Sequence, residues 1–350
     1  MAQPTPGALA WTHEPPSETV RPAAARDVRS LLLGLAATLV LANVAAVVLL
    51  EVRNPNRGNW LVREKAALAV TGAAAETLLI GDSTCNQGLI PSALAPALGG
   101  PVLNLCAIGT LGVVGDTLLL DRYLATHPAP RRVVVSHAPD VWFRPPNLFN
   151  VGLLEPGANE AIALKSAGLG GPFSQAKMLA GRWLPLYTST RSLADFIRRP
   201  SSTWGRVFSL DAGGFMAVDT ANPEQQTRDL REMSALLRET RGPLPPSTVA
   251  ALKRLGELGR QHGFRVYLLP SALAAPVVAG EGFAAFADRL RAAVAEALAA
   301  GGVGADVAWL TSEFRPFPTS QMELSDHLLV GGAEVFTAEV AAQLRRAEGL

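Results

Sequence analysis

The chain has 350 residues, 49% hydrophobic and 17% charged, with 31 basic against 30 acidic side chains. That balance excludes a disordered chain, which is too polar to bury a core, and excludes nucleic-acid binding through a basic field, which must neutralise many phosphates. Two cysteines, with no Cys/His cluster at ligand spacing, exclude a disulfide scaffold and a zinc site, so no metal or other cofactor is expected.

Residues 1 to about 28, rich in Pro and Ala, read as a disordered cytoplasmic tail. Residues 30–50, SLLLGLAATLVLANVAAVVLL, carry no charge and one strongly polar side chain, Asn43. A run of that length and apolarity predicts a transmembrane helix, and it lacks the polar stripe that a buried amphipathic helix shows. Glu51-Val52-Arg53 offers no small-residue cleavage site, so the helix is expected to remain as a single-pass signal anchor. Arg21, Arg26 and Arg29 before it and Arg53, Arg57, Arg63 and Lys65 after it leave its orientation open by charge alone. Residues 51–71 read as a linker to one folded domain at 72–350.

From Thr77 onward, short continuous apolar runs alternate with amphipathic stretches, the pattern of an α/β parallel sheet buried on both faces. The expected strands are residues 77–80, 101–105, 132–136, 265–269 and 306–310. Ser247 is expected to cap a helix through Leu252, Leu255 and Leu258 that ends at His262-Gly263. A second helix carries Phe283, Phe286, Leu290, Val294 and Leu298, and a last one Val335, Phe336, Val340 and Leu344. Between about 145 and 246 the rhythm lapses into Gly- and Pro-rich sequence, with short helices expected around 176–197 and 228–238. We read this as an insertion over the sheet, not a second domain.

In open parallel sheets ligands bind beyond the carboxyl ends of the strands. The turn after the first strand is Gly81-Asp82-Ser83-Thr84-Cys85-Asn86-Gln87-Gly88. A serine there can present its hydroxyl while its own N–H and the helix start stabilise an oxyanion; the same residues also make an ordinary helix cap.

With Asn104-Leu105-Cys106-Ala107-Ile108-Gly109 after the second strand and Ser325-Asp326-His327-Leu328 before a terminal helix, this turn resembles the blocks of the SGNH, or GDSL-like, hydrolase superfamily across residues 72–346. The resemblance implies a three-layer, doubly wound, flavodoxin-like sheet, Ser83 as nucleophile, His327 as general base, and the N–H groups of Ser83 and Gly109 as oxyanion donors. GDSTCNQGLIPSAL with NLCAIG behind an anchor is similar to the membrane-tethered branch related to alginate O-acetylation and D-alanyl transfer proteins. That likeness places the domain on the extracytoplasmic, periplasmic side of the cell membrane. Asp82, Asn104, His137 and Asp140 follow strand ends and are expected to line the site.

Two positions depart from the family pattern. The acid of a D-x-x-H arrangement would stand at 324, which is Leu324; Asp326 is the preferred orienting acid, Glu323 the next, and a Ser-His dyad supported by a backbone carbonyl the remaining alternative. An adjacent carboxylate reaches an imidazole only where the backbone turns. The third block lacks its oxyanion-donating asparagine, reading Ser136-His137-Ala138-Pro139-Asp140. Cys85 and Cys106 either pair or fill space as small buried residues. Trp142-Phe143-Arg144 and the stretch from Arg182 to Tyr187 hold aromatics that read as core. The expected function is an envelope-facing serine esterase or O-acyltransferase acting on an acylated glycan or envelope polymer. A transferase implies a multispanning membrane partner to deliver acyl groups. The alternatives are an inactive scaffold that binds glycan or an envelope protein, and a lipase or thioesterase with a broad apolar groove.

Overall fold

The computed structural model describes residues 23–53, 58–184, 186, 209–240 and 242–350. The expected tail at residues 1–22 lies outside them. The first helix, α1 (Ala23–Arg53), contains Val28–Ala46, a stretch of 19 residues long and apolar enough to cross a membrane, and it is bare along its length except towards its end, where Ala46 is buried.

The segment expected as a linker is instead largely a helix, α2 (Gly58–Thr71). Leu61, Val62, Ala66 and Ala69 are buried, and Lys65 lies wholly buried among them. The Lys65 ammonium donates to the Asn104 carbonyl at 2.8 Å and to the Gly214 carbonyl. Burial drives its pKa well below the usual lysine value, an effect that Asp211 partly opposes.

A parallel sheet follows, built from β1 (Thr77–Gly81), β2 (Val102–Asn104), β3 (Arg132–His137), β4 (Arg265–Pro270) and, after the short β5 (Leu273–Ala274), β6 (Val307–Trp309). Its order is β2-β1-β3-β4-β6, and all pairings are parallel. All five expected strands form, because unbroken Val/Leu/Ile runs are what a doubly covered strand requires. A two-residue pairing of β5 with β7 (Pro316–Phe317) adds a small second sheet that was not expected.

The connections are α3 (Ser83–Gly88) and α4 (Pro91–Leu98) between β1 and β2, then α5 (Gly112–Leu124) before β3. The region from 145 to 246 holds α6 (Leu148–Gly152), α7 (Ala158–Ser166), α8 (Pro172–Trp183) and α9 (Pro223–Glu239). Thus the first expected insertion helix starts earlier and ends by Trp183, and residues 187–197 of it lie outside the described residues. Val151, Leu154, Leu164, Met233 and Leu237 join the same hydrophobic core as the strands, so the described part of the insertion belongs to this domain.

The chain continues through α10 (Pro246–His262), α11 (Ala275–Val278), α12 (Phe283–Ala300) and α13 (Val330–Glu348). Ser247 does not cap α10; Pro245 holds the cap position and Ser247 is buried in the first turn, since proline at the first helical position presets its φ. Gly263 ends α10 in a left-handed conformation. In α13, Phe336, Val340 and Leu344 are buried while Val335 faces out. The helix α13 packs on α3 and α4, whereas α5, α10 and α12 pack in succession, giving the strands cover on both faces. The strand order reverses between β1 and β3, which opens a crevice at the carboxyl ends of those two strands.

Candidate active site

The first residue of α3, Ser83, stands at this crevice, and within Gly81–Leu89 it alone is not buried. The turn that presents it needs glycine at 81. Its φ is +146°, and a Cβ there would fall 1.9 Å from the Ser136 carbonyl oxygen. Asp82 caps α3: its Oδ1 accepts from the Thr84 N–H at 2.9 Å and hydroxyl at 2.6 Å, and its Oδ2 from the Ala138 N–H at 2.7 Å. One carboxylate therefore fixes the Ser83 turn to the end of β3.

His327 reaches Ser83 from the other end of the chain. Its Nε2 lies 2.8 Å from Ser83 Oγ, and its Nδ1 lies 2.6 Å from Asp326 Oδ1. The adjacent acid reaches the ring because the backbone curls: Met322 and Leu328 bridge antiparallel, and the Glu323 N–H donates to the His327 carbonyl at 2.8 Å. The Leu324 N–H approaches the same carbonyl, and Asp326 fills the place at Nδ1 that an acid at 324 would take. The curl is held from outside as well. The Ser325 N–H donates to Asp229 on α9 at 2.7 Å, and Gln226 Nε2 donates to the carbonyls of Thr319 and Met322. Asp229 and Gln226 were not expected from sequence; nothing in a polar surface helix distinguishes them.

Burial alone would lower the His327 pKa, but the adjacent Asp326 carboxylate, with smaller effects of Asp82 and Glu323, raises it to about 9. The resting imidazole is thus charged at neutral pH and neutral only in mild alkali.

The loop carrying Gly109 continues the pairing of β2 with β1, with Leu105 N–H on Leu79 O at 2.8 Å and Ala107 N–H on Gly81 O at 2.9 Å. A Cβ at Gly109 would fall 2.9 Å from Val141 Cγ2 and 3.6 Å from Asp82, which places this glycine beside the Ser83 turn. The N–H groups of Ser83 and Gly109 have no hydrogen-bond acceptor among the described residues. Both are therefore available to a ligand oxygen.

Cys85 and Cys106 are joined by a disulfide, Cα–Cα 5.8 Å, which ties α3 to this loop. Asn104 makes the same tie by hydrogen bonds. Its Nδ2 donates to Leu89 O at 3.1 Å, and its Oδ1 accepts from the Cys106 N–H at 2.9 Å. Expected to line the site, Asn104 is fully buried and holds its framework, because its side chain is already engaged by backbone on both sides.

His137 also departs from its expected place. It is buried beneath the Ser83 turn, with Nε2 2.5 Å from Asp116 Oδ2, Nδ1 3.6 Å from Asp82 Oδ2, and its ring edge-on to Trp142. Burial would lower its pKa, but Asp116 and Asp82 raise it to about 10; in return it overcomes the burial of Asp82 and holds that carboxyl at about 2. Asp116, on α5, is raised by burial, with His137 opposing. This imidazolium between two carboxylates is a buried ion triad under the nucleophile turn. Asp116 was missed although its signal was present: it is the one charged residue in Gly112–Leu120, a stretch apolar apart from it and Thr117.

Asp140 is buried at the first turn after β3, paired with Arg144; burial outweighs that pairing and, with Asp326 and Asp82 adding repulsion, raises it to about 6. It is thus in electrostatic reach of both site carboxylates. Ser136 is buried within β3. The remaining described histidines lie elsewhere, His127 stacked on Tyr123 and bonded to Gly72 O, and His262 beside Phe264. His13 lies outside the described residues. No group of three or more His, Cys, Asp or Glu at metal-binding geometry occurs among the described residues. Compared with known families and with curated sequences, the chain matches no family model and no curated protein.

Proposed function

We propose that the chain is a membrane-anchored, envelope-facing SGNH-type serine esterase or O-acyltransferase working on an acylated glycan or envelope polymer. The observation that carries this reading is the Ser83–His327–Asp326 chain, at 2.8 and 2.6 Å, beside two unengaged N–H groups at the crevice of a doubly wound sheet.

In the proposed reaction neutral His327 accepts the Ser83 proton at Nε2 as Oγ bonds to the ester carbonyl carbon. The carbonyl oxygen takes the negative charge and receives the Ser83 and Gly109 N–H groups. Collapse breaks the ester bond; the leaving alcohol oxygen takes the proton from His327, and an acyl-Ser83 ester remains. Water or a sugar hydroxyl then gives its proton to His327 and attacks the acyl carbon; the acyl carbon–Oγ bond breaks, and His327 returns the proton to Ser83 Oγ. Asp326 holds the imidazole with Nε2 towards Ser83 and stabilises its charged form.

The disulfide beside the nucleophile supports exposure to an oxidising compartment, as an extracytoplasmic domain behind α1 would be. In the transferase form, a multispanning membrane protein delivers the acyl group. Short Ser–His contact favours the catalytic reading over an inactive scaffold. The test is labelling of the detergent-solubilised full chain by a fluorophosphonate, beside Ser83→Ala and His327→Ala. Labelling lost in both variants supports the reading; folded wild-type protein that stays unlabelled at pH 9 refutes it.

A further inference from the structure

Within α8, the sequence PFSQAKMLAGRW packs its small face inward: Met178 and Gly181 are buried, and a Cβ at Gly181 would fall 2.0 Å from the Phe149 carbonyl of α6. Its opposite face is apolar and bare. Phe173, Leu179 and Trp183 are 73%, 58% and 65% exposed, and Ala176 and Ala180 lie between them at helical spacing. The Trp183 expected as core is therefore on the surface. Lys177 and Arg182 flank this face on its two sides, each with its cation against the neighbouring ring, Lys177 over Phe173 at 4.4 Å and Arg182 over Trp183 at 4.9 Å; Arg182 also pairs with Glu155 at 3.0 Å. The helix has no acidic residue.

An aromatic face rimmed by long basic side chains is the pattern of a helix lying in a membrane interface, apolar side in the acyl region and cations at the headgroups. The end of α8 also meets α1. Leu186, three residues past Trp183, donates its N–H to Asn43 Oδ1 at 3.1 Å, and Asn43 Nδ2 donates to Leu39 O at 2.9 Å. The one strongly polar side chain of the apolar run is thus satisfied by the domain, as hydrocarbon requires. Asn43 stands three residues before Ala46 and seven before Leu50, about 5 to 10 Å inside the end of the run at 1.5 Å per residue. Interfacial helices bury their apolar faces to about that depth, 5–10 Å.

We infer that α8 is an interfacial helix that lays the domain onto the bilayer spanned by α1, with Phe173, Leu179 and Trp183 in the acyl region, Lys177 on anionic headgroups and the Arg182–Glu155 pair at the polar rim. The inference rests on α1 as a span and not on the Ser83 chemistry. Its consequence for the site is proximity. The helix α6, on which α8 packs, hydrogen-bonds through Asn150 to Thr110, the neighbour of Gly109, at 2.6 Å. The crevice is thereby held near the membrane surface, where a membrane partner could hand over an acyl group.

The test uses the full chain in vesicles of phosphatidylglycerol and phosphatidylethanolamine, with the photocrosslinker benzoylphenylalanine placed singly at Phe173, at Leu179, at Leu39 within α1, and at exposed Gln261 on α10. Irradiation is expected to give lipid adducts at Leu39, Phe173 and Leu179, with yields at the α8 positions about tenfold above Gln261, as apolar insertion demands. Adducts at Leu39 with α8 positions no better than Gln261 would overturn the interfacial helix and leave the anchor standing. No adduct at Leu39 either would overturn both. Fluorophosphonate labelling of the same samples reads the Ser83 proposal separately.

Discussion

Replacing Asp326 by asparagine tests whether this carboxylate sets the protonation of His327. In the wild type, proximity to Asp326 at 2.6 Å is the main influence raising the imidazole against its burial, to about 9 from an ordinary 6.5. That elevation corresponds to about 3 kcal/mol between the two protonation states, and loss of the carboxylate leaves burial opposed only by the smaller effects of Asp82 and Glu323. Only neutral His327 can accept the Ser83 proton, so the rate of fluorophosphonate labelling in wild type should climb tenfold per pH unit and level near pH 9. In Asp326→Asn the limb should move by about two pH units or more towards acid, levelling at or below about pH 7. The plateau itself should fall by roughly 10²- to 10⁴-fold, because the amide no longer stabilises the imidazolium or fixes its tautomer. Labelling rates measured from pH 5 to 10 separate the two effects. An unchanged limb in the variant would refute Asp326 as the partner of His327, whatever happened to the plateau.

Other consequences concern the frame around the serine. His137→Gln should cost about 3–5 kcal/mol in denaturant unfolding, since Asp82 and Asp116 would be left buried without their counter-ion. His137 is raised on folding, so its contribution is complete below its unfolded value of about 6.5 and is lost as pH climbs towards 10; the gap between wild type and variant should narrow over that alkaline window. A gap that is flat across it would contradict a charged His137. The double variant Cys85→Ala, Cys106→Ala should lose about 3 kcal/mol for an unclosed loop of this size, and should label more slowly as the Gly109 loop loosens; unchanged unfolding would argue against the disulfide. Gly81→Ala should fail to yield folded, labelling-competent protein, because its Cβ would meet Ser136 O at 1.9 Å. Recovery of wild-type labelling in that variant would contradict the backbone placed here.

The sheet was legible because a strand covered on both faces must be continuously apolar, and Leu78-Leu79-Ile80, Val133-Val134-Val135 and Val266-Tyr267-Leu268-Leu269 could be little else. What escaped was structure without a period or with a misleading one. The β5–β7 pair has two residues a side, too few to alternate. The helix α2 falls where a linker is expected, and its Lys65 turns inward to cap backbone carbonyls at the end of β2 and beyond. A charged residue carries no mark in sequence of which way it faces; that depends on carbonyls supplied some 40 and 150 residues later.

The same distinction runs through the site. Ser83, Gly109, His327 and Asp326 could be named because the short blocks that hold them resemble those of a known superfamily, and local pattern is what a single sequence displays. Their mutual geometry has another source. Asp82 spans from the α3 cap to Ala138, Asp116 and His137 balance it from below, and Asp229 on an insertion helix holds the curl that turns Asp326 towards His327. Asn104 and His137 fell on the wrong side of this line: a strand-end position promised exposure to the crevice, but each side chain had backbone or carboxylate partners that only the folded chain brings within reach. Asp229→Ala makes the point measurable. The Ser325 N–H would lose an anionic acceptor, a bond of about 1.5–3 kcal/mol, while Ser83, His327 and Asp326 all remain. Labelling should then slow roughly tenfold or more, with its pH limb unmoved near 9, because the ring and its acid stay paired but visit Ser83 less often. A limb displaced towards acid would mean that the Asp326–His327 pair itself had come apart, and that the curl depends on the insertion for more than its position.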